Sequence, residues 1–207
     1  MDARGTGFAQ AAAADGVVLQ AASFDWLCEQ GHVGLERVAK ARRDPTIVAP
    51  VIAALEALQT IFARLGGDTA VLHAARENLL LAVDLFHEPT QTIVELDGPE
   101  HFTSFRLTTL EHYPAGARVN FDLDHYKSRC RELAPQTDRL HRALAAKGFG
   151  FGGVQRERAY HDALKDLGAP AMGLAPVIRI AAADPGPDGA ALYARHQQPL
   201  QAALSPR

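Results

Sequence analysis

Cysteine is scarce here: Cys28 and Cys130 are the only two in 207 residues. Their separation matches no metal-site spacing. A disulfide scaffold is therefore not in view, and two thiols in a reduced compartment are the simplest reading. The chain also lacks an apolar run long enough to cross a bilayer. Its start, Met-Asp-Ala-Arg-Gly, has no charged n-region followed by an apolar h-region, so no secretory signal is visible. These absences point to a cytoplasmic protein with no membrane partner, with export by a specialised machine left open. No internal repeat is present. Gly148-Phe-Gly-Phe-Gly-Gly153 lacks the Lys-Ser/Thr ending of a phosphate-binding loop and reads as a flexible connector.

What is present is an ordinary globular composition, 47% hydrophobic and 22% charged. The length suffices for one domain with a good core, or a domain with a helical extension. The net charge of −3 hides an asymmetry. Residues 1–100 carry a balance of −7, whereas residues 101–168 carry +3 and five histidines. The middle of the chain is thus the better face for an anionic partner.

Periodicity divides the chain further. Residues 1–16 are rich in alanine and glycine and read as frayed. Ser23 is a candidate cap for a helix through Leu27, Val33 and Val38. Asp44-Pro45 opens the next helix, whose apolar stripe runs from Ile47 to Leu65 and stops at Gly66-Gly67. Asp68 caps a third helix through Val71, Leu72 and Ala75. Leu79 to Phe86 is a nearly continuous apolar run, as in a buried strand. Phe105–Leu110 and Arg118–Phe121 alternate around a Pro-Ala-Gly turn and read as a hairpin. Asp122 or Asp124 opens a helix towards Lys147, with Pro135 kinking or dividing it. Val154 to Leu167 is a charged helix closed by Gly168, and Pro176–Ala181 is a last strand. Residues 183–207 read as loop or loosely packed helix. The fold class is α/β or α+β, with a helical region over 1–78, a mixed domain over 79–182 and a tail over 183–207.

The densest chemistry lies at Leu81-Ala-Val-Asp-Leu-Phe-His-Glu-Pro-Thr-Gln-Thr-Ile-Val-Glu-Leu-Asp-Gly-Pro-Glu-His-Phe102. Asp84 interrupts the first apolar run. Glu95 and Asp97 stand two apart in the next, so both leave one face of a strand. Gly98-Pro99 ends it, and His101 follows. Converging carboxylates repel unless a cation neutralises them, and hard oxygen ligands suit Mg²⁺ or Mn²⁺. Asp84 and Glu95 are the candidate metal ligands, with the Leu96 carbonyl as a third. Glu56 and Glu77 are candidates for an additional helix glutamate. Arg156, Arg158, His161 and Lys165 lie at helical spacing and suit phosphate, as does Arg179 inside the last strand. A solvated helix face with internal ion pairs accounts equally well for the first four.

The segment Ile93-Val-Glu-Leu-Asp-Gly-Pro-Glu-His-Phe102 resembles the RAP domain, whose hallmark is an apolar strand ending in Glu-x-Asp-Gly-Pro-x-His-Phe. It also resembles the wider PD-(D/E)XK restriction-endonuclease-like superfamily, including very-short-patch repair endonucleases. Asp84 falls at that superfamily's first carboxylate and Glu95 at its second. Asp97 stands at the place of the usual lysine. The close match covers residues 81–102 and a looser one reaches residue 181. About fifty residues separate the His101 loop from the charged helix, more than a RAP domain usually has. The resemblance implies a mixed sheet flanked by helices, with a centre formed by Asp84, Glu95, Asp97 and His101. It further implies hydrolysis of a phosphodiester in RNA or DNA with Mg²⁺ or Mn²⁺, and Arg156, Arg158, Lys165 and Arg179 meeting the nucleic acid. The alternative is a non-catalytic RNA-binding or protein-interaction module that uses the N-terminal helices.

Overall fold

A computed structural model describes residues 2–74, 79–140, 143–182 and 188–205. In chain order the elements are α1 (Ala3–Ala14), α2 (Gly31–Arg42), α3 (Pro45–Arg64), α4 (Thr69–Ala74), β1 (Leu85–His87), β2 (Thr92–Asp97), a 3₁₀ turn at Pro99–His101, α5 (Ser104–Glu111), α6 (Leu123–Thr137), α7 (Val154–Ala171), β3 (Ile178–Ala181) and α8 (Gly189–Leu204). The α+β class is as the sequence implies. The three strands form one mixed sheet in the order β1-β2-β3, β1 antiparallel and β3 parallel to β2. The parallel pairing sets Glu95 beside Arg179 and Asp97 beside Ala181.

Alternation along the strands sorts the side chains into two faces. Leu85, Val94, Leu96, Ile178 and Ile180 meet Phe8, Ala12, Leu192, Tyr193 and Leu200 of α1 and α8. Phe86 and Ile93 join the larger core on the other side, with Trp26, Leu58, Phe62, Tyr160 and Leu164. Glu95, Asp97 and Arg179 belong to this second face. The result is a layered arrangement: α1 and α8, then the sheet, then α7 with α5, α3 and α2 around it.

Several elements differ from the sequence reading. Residues 3–14 form a capped helix, Asp2 accepting from Gly5 N at 2.7 Å, and Phe8 packs edge-on against Tyr193 with ring centres 5.4 Å apart. The tail supplies the partner, α8, so packing does not follow the division at residues 78 and 183. Ser23 caps no helix; α2 begins at Gly31, after a segment bridged to residues 80 and 86. The first strand is confined to Leu85–His87. The expected hairpin is absent: Ser104–Glu111 is helical, with Thr103 accepting from Arg106 N at 3.0 Å as its cap. Arg106, Thr109 and Leu110 are buried at helical spacing, which the short alternating stretch disguised. α6 ends at Thr137, two residues past Pro135.

Gly168 does not end α7, which continues to Ala171. A Cβ there would lie 2.7 Å from a Trp26 ring carbon, so glycine lets the indole approach. Asp44 caps α3 as expected, through Thr46 N at 2.8 Å. The expectation about membrane-length runs needs correction. Pro45–Arg64 is long and apolar enough to cross a membrane by length and composition, because Glu56 is the only charge between its ends. In this fold Ile47, Val51, Ala54, Leu58, Ile61 and Phe62 line the core, and Val48 and Ile52 are exposed.

Candidate active site

The sequence-derived residues divide into an exposed carboxylate, an ion pair and a buried network. Asp84 sits just before β1 and is exposed. Its Oδ2 accepts from Leu96 N at 2.8 Å, while Asp84 N donates to Glu95 Oε1 at 3.2 Å. These reciprocal bonds continue the β1–β2 register, in which Leu85 faces Val94. They hold the two acidic side chains on neighbouring strand positions.

Glu95 is buried, and its Oε2 accepts from Lys165 Nζ at 2.5 Å. Burial pushes the Glu95 carboxyl up and Asp84 adds to this, while Lys165 pulls it down. Burial would lower Lys165, but Glu95 and Asp162 outweigh that and raise it. The two directions pull differently on one contact. At 2.5 Å between charged partners, the direction that holds is a protonated Lys165 on an ionised Glu95.

Below lies the network. Arg179 is fully enclosed. Its Nη1 donates to both Asp97 oxygens (2.8 and 2.9 Å), its Nε to Asp166 Oδ1 (2.8 Å), and its Nη2 to the Asp162 carbonyl (3.1 Å) and carboxylate (3.2 Å). Asp166 Oδ2 also accepts from Arg106 Nη2 (2.6 Å) and the Tyr113 hydroxyl (2.7 Å). Tyr126 donates to Asp97 Oδ2 at 2.8 Å. His101 Nδ1 lies 2.9 Å from Asp162 and 3.6 Å from Asp97. Burial alone would lower His101, but Asp162 and Asp97 hold it up at about 9. Burial opposes the charge on Asp162 too, yet His101 and Arg179 keep it well below the usual carboxylate range. With His101 protonated, Glu95, Asp97, Asp162 and Asp166 are matched by Lys165, Arg179, Arg106 and His101. The network is neutral by itself, as buried charge must be.

That balance decides where a cation fits. One atom each of Asp97, His101 and Asp162 lie within 4.8 Å of one another. Both Asp97 oxygens already hold Arg179, and a dication would stand against a guanidinium that cannot deprotonate. This trio does not fit Mg²⁺ or Mn²⁺. At Asp84 and Glu95 all the donors are hard oxygens and Asp84 Oδ1 has no protein partner among the described residues, while the two Glu95 oxygens are held by Asp84 N and by Lys165.

The remaining candidates sit elsewhere. Arg156 spends its guanidinium on the carbonyls of Phe149 (2.9 Å), Phe151 (3.0 Å) and Leu65 (3.4 Å). Arg158 is half-buried, with Nη1 enclosed and unpartnered among the described residues. His161 is neutral, lowered to about 4 by burial and by Lys165. Glu56 is exposed on α3, and Glu77 lies outside the described residues. Sequence reasoning missed Arg106, Tyr113, Tyr126, Asp162 and Asp166. The signal for two of them was Asp162-x-x-Lys165-Asp166, one helical face carrying three charges towards a strand that holds Glu95 and Asp97. No family of known proteins, no curated protein and no solved structure matches the chain.

Proposed function

We propose that this chain is a metal-dependent phosphodiesterase of restriction-endonuclease-like architecture, acting on RNA or DNA, with Asp84, Glu95 and Lys165 at its centre. The observation that carries the reading is the 2.5 Å contact between Lys165 of α7 and Glu95 of β2, beside exposed Asp84. A helix thus brings lysine to the strand pair whose own lysine position holds Asp97. Asp84 and Glu95 would hold Mg²⁺ or Mn²⁺. Such an ion would polarise a phosphate and make a bound water more acidic. Lys165 would place its ammonium charge against the phosphate as negative charge develops. Asp97, committed to Arg179 and Tyr126, acts as a positioning residue, and so does His101 on Asp162. Arg179 fixes β3 and α7 relative to β2 and does not meet substrate.

The test is cleavage of labelled RNA and DNA with Mg²⁺ or Mn²⁺, and with chelator. Asp84→Asn and Lys165→Met are each expected to lower the rate at least about a hundredfold, comparable with loss of one charge-stabilising group. Asp84 is exposed, so its variant should unfold at nearly the wild-type denaturant concentration. Full activity in Asp84→Asn, or indifference to chelator, would remove this centre.

One observation favours a second reading. The buried charges balance without a metal, as in a non-catalytic module whose ion network serves only architecture. In that case Mg²⁺ leaves the unfolding midpoint unchanged and no cleavage occurs. Binding would then involve nucleic acid, or a protein at the exposed Val48–Ile52 face of α3.

A further inference from the structure

Loop 148–153 has no part in the proposed centre, and its glycines suggested flexibility. It is instead tightly bonded. Ala146 and Gly150 exchange two hydrogen bonds of 3.0 and 2.9 Å, Gly153 N donates to Gly150 O at 3.1 Å, and Asp68 N donates to Gly148 O at 2.7 Å. Arg156 braces the carbonyls of Phe149 and Phe151 from below. Phe149 turns into the core, its ring centre 4.9 Å from that of Phe62. Gly150 and Gly152 adopt φ of 64° and 68°, where a side chain would be strained. Between them Phe151 points outward, 78% exposed. A phenyl held in water on an ordered backbone loses little freedom when something stacks on it.

Phe151 stands at the rim of a cleft of about 610 Å³, with Phe105, Pro135, Arg139 and Arg156 among its walls. Arg139 is exposed. The one carboxylate of the cleft among the described residues, Asp138, accepts from Ser104 N at 3.0 Å. Gln155 Nε2 caps the Thr137 and Leu140 carbonyls at 2.5 Å each, covering the negative end of α6. Two guanidiniums against one engaged carboxylate leave the cleft positive. Among the described residues no Leu, Ile, Val or Met lines it, and its remaining apolar wall is Ala134 and Pro135 beside the two phenyls. That is a poor seat for an apolar peptide and a good one for a base with its phosphate.

We infer that this cleft is a nucleotide subsite for single-stranded nucleic acid, with an unpaired base stacked on Phe151 and its phosphate on Arg139. Arg156 is a positioning residue that holds the loop and adds charge. The inference rests on the reading of the substrate as nucleic acid and narrows it to unpaired strands, because a base inside a duplex offers no free face. From Arg156 to Lys165 α7 rises about 14 Å, so the stacked base lies several nucleotides from the bond broken.

The experiment is fluorescence anisotropy in chelator with a labelled twelve-nucleotide RNA and DNA strand, the matching duplex, and an abasic strand of equal length. Phe151→Ala is expected to weaken single-strand binding about tenfold, Phe151→Trp to retain it, and neither to change duplex or abasic binding. Arg139→Gln is expected to reduce the salt slope by roughly one phosphate contact. Phe151 is exposed, so circular dichroism of Phe151→Ala should match wild type. Unchanged single-strand affinity in Phe151→Ala overturns the subsite, and cleavage by that variant at the wild-type rate would leave the phosphodiesterase reading standing. Phe151-dependent binding without any cleavage keeps the subsite and removes that reading. A wild-type protein that binds no strand, or a Phe151→Ala loss equally large on the abasic strand, overturns the subsite. Phe151-dependent capture of an apolar peptide in place of any strand reassigns the cleft to a protein.

Discussion

The two faces of one three-stranded sheet are held by different physics. Leu85, Val94, Leu96, Ile178 and Ile180 bury apolar area against α1 and α8. That attraction has no direction and tolerates exchange of one aliphatic shape for another. One residue along each strand, Glu95, Asp97 and Arg179 face α7 and are held by bonds of fixed geometry. The apolar face loses stability roughly in proportion to what is cut away. The ionic face loses most when a single partner is removed, because the rest remain buried and charged.

The sharpest break in that comparison is Arg179→Met. It leaves Asp97, Asp162 and Asp166 without their shared cation, and a loss of about 3–5 kcal/mol is expected by urea denaturation. A loss below about 1 kcal/mol would show that the network contributes little. Next comes Phe8→Ala on the opposite face, expected to cost about 3 kcal/mol through the cavity it opens beside Tyr193. That loss should be the same at pH 6 and pH 9, since no titrating pair is touched.

The smallest and most diagnostic effect is the pH dependence of His101. The group is held at about 9 when folded against an ordinary 6.5, so the folded state binds the proton more tightly. Its contribution is complete below pH 6.5 and fades as pH rises through 9, worth at most about 3 kcal/mol. The advantage of wild type over His101→Gln should therefore shrink between these values. An advantage that grows towards pH 9 would reverse the assignment. Buried His32 and half-buried His161, both lowered to about 4, act in the opposite sense. Their contribution is present above pH 6.5 and fades as pH falls towards 4.

Sequence pattern made some of this legible and left some of it hidden. The α3 stripe and its Asp44 cap were plain, because both signals are local. The strands near residues 85, 94 and 178 followed from their apolar runs, whereas their pairing needed the structure. Alternation correctly placed Glu95 and Asp97 on one face. Helix α5 was hidden because eight residues with Phe105, Leu107 and Leu110 fit two periods equally well. Arg106 gave no signal at all, since nothing local distinguishes an arginine aimed at Asp166 from one aimed at water. Arg179 was noticed as a charge within a strand, yet its partners lie 13 to 82 residues away. Only tertiary structure shows that they are carboxylates of this chain.

The pairing of α1 with α8 has a consequence in time. The first helix leaves the ribosome early, whereas its partner is completed only at Leu204. Once β2 is complete at Asp97, a further 107 residues must be made before Leu204, which at roughly 5–20 residues per second takes about five to twenty seconds, during which one face of β1 and β2 has no finished cover. The ionic face can close as soon as α7 and β3 emerge, but the apolar face must wait for the last helix. Chaperone demand during synthesis should therefore concentrate on Leu85, Val94 and Leu96, and a chain halted before residue 189 would aggregate through that surface.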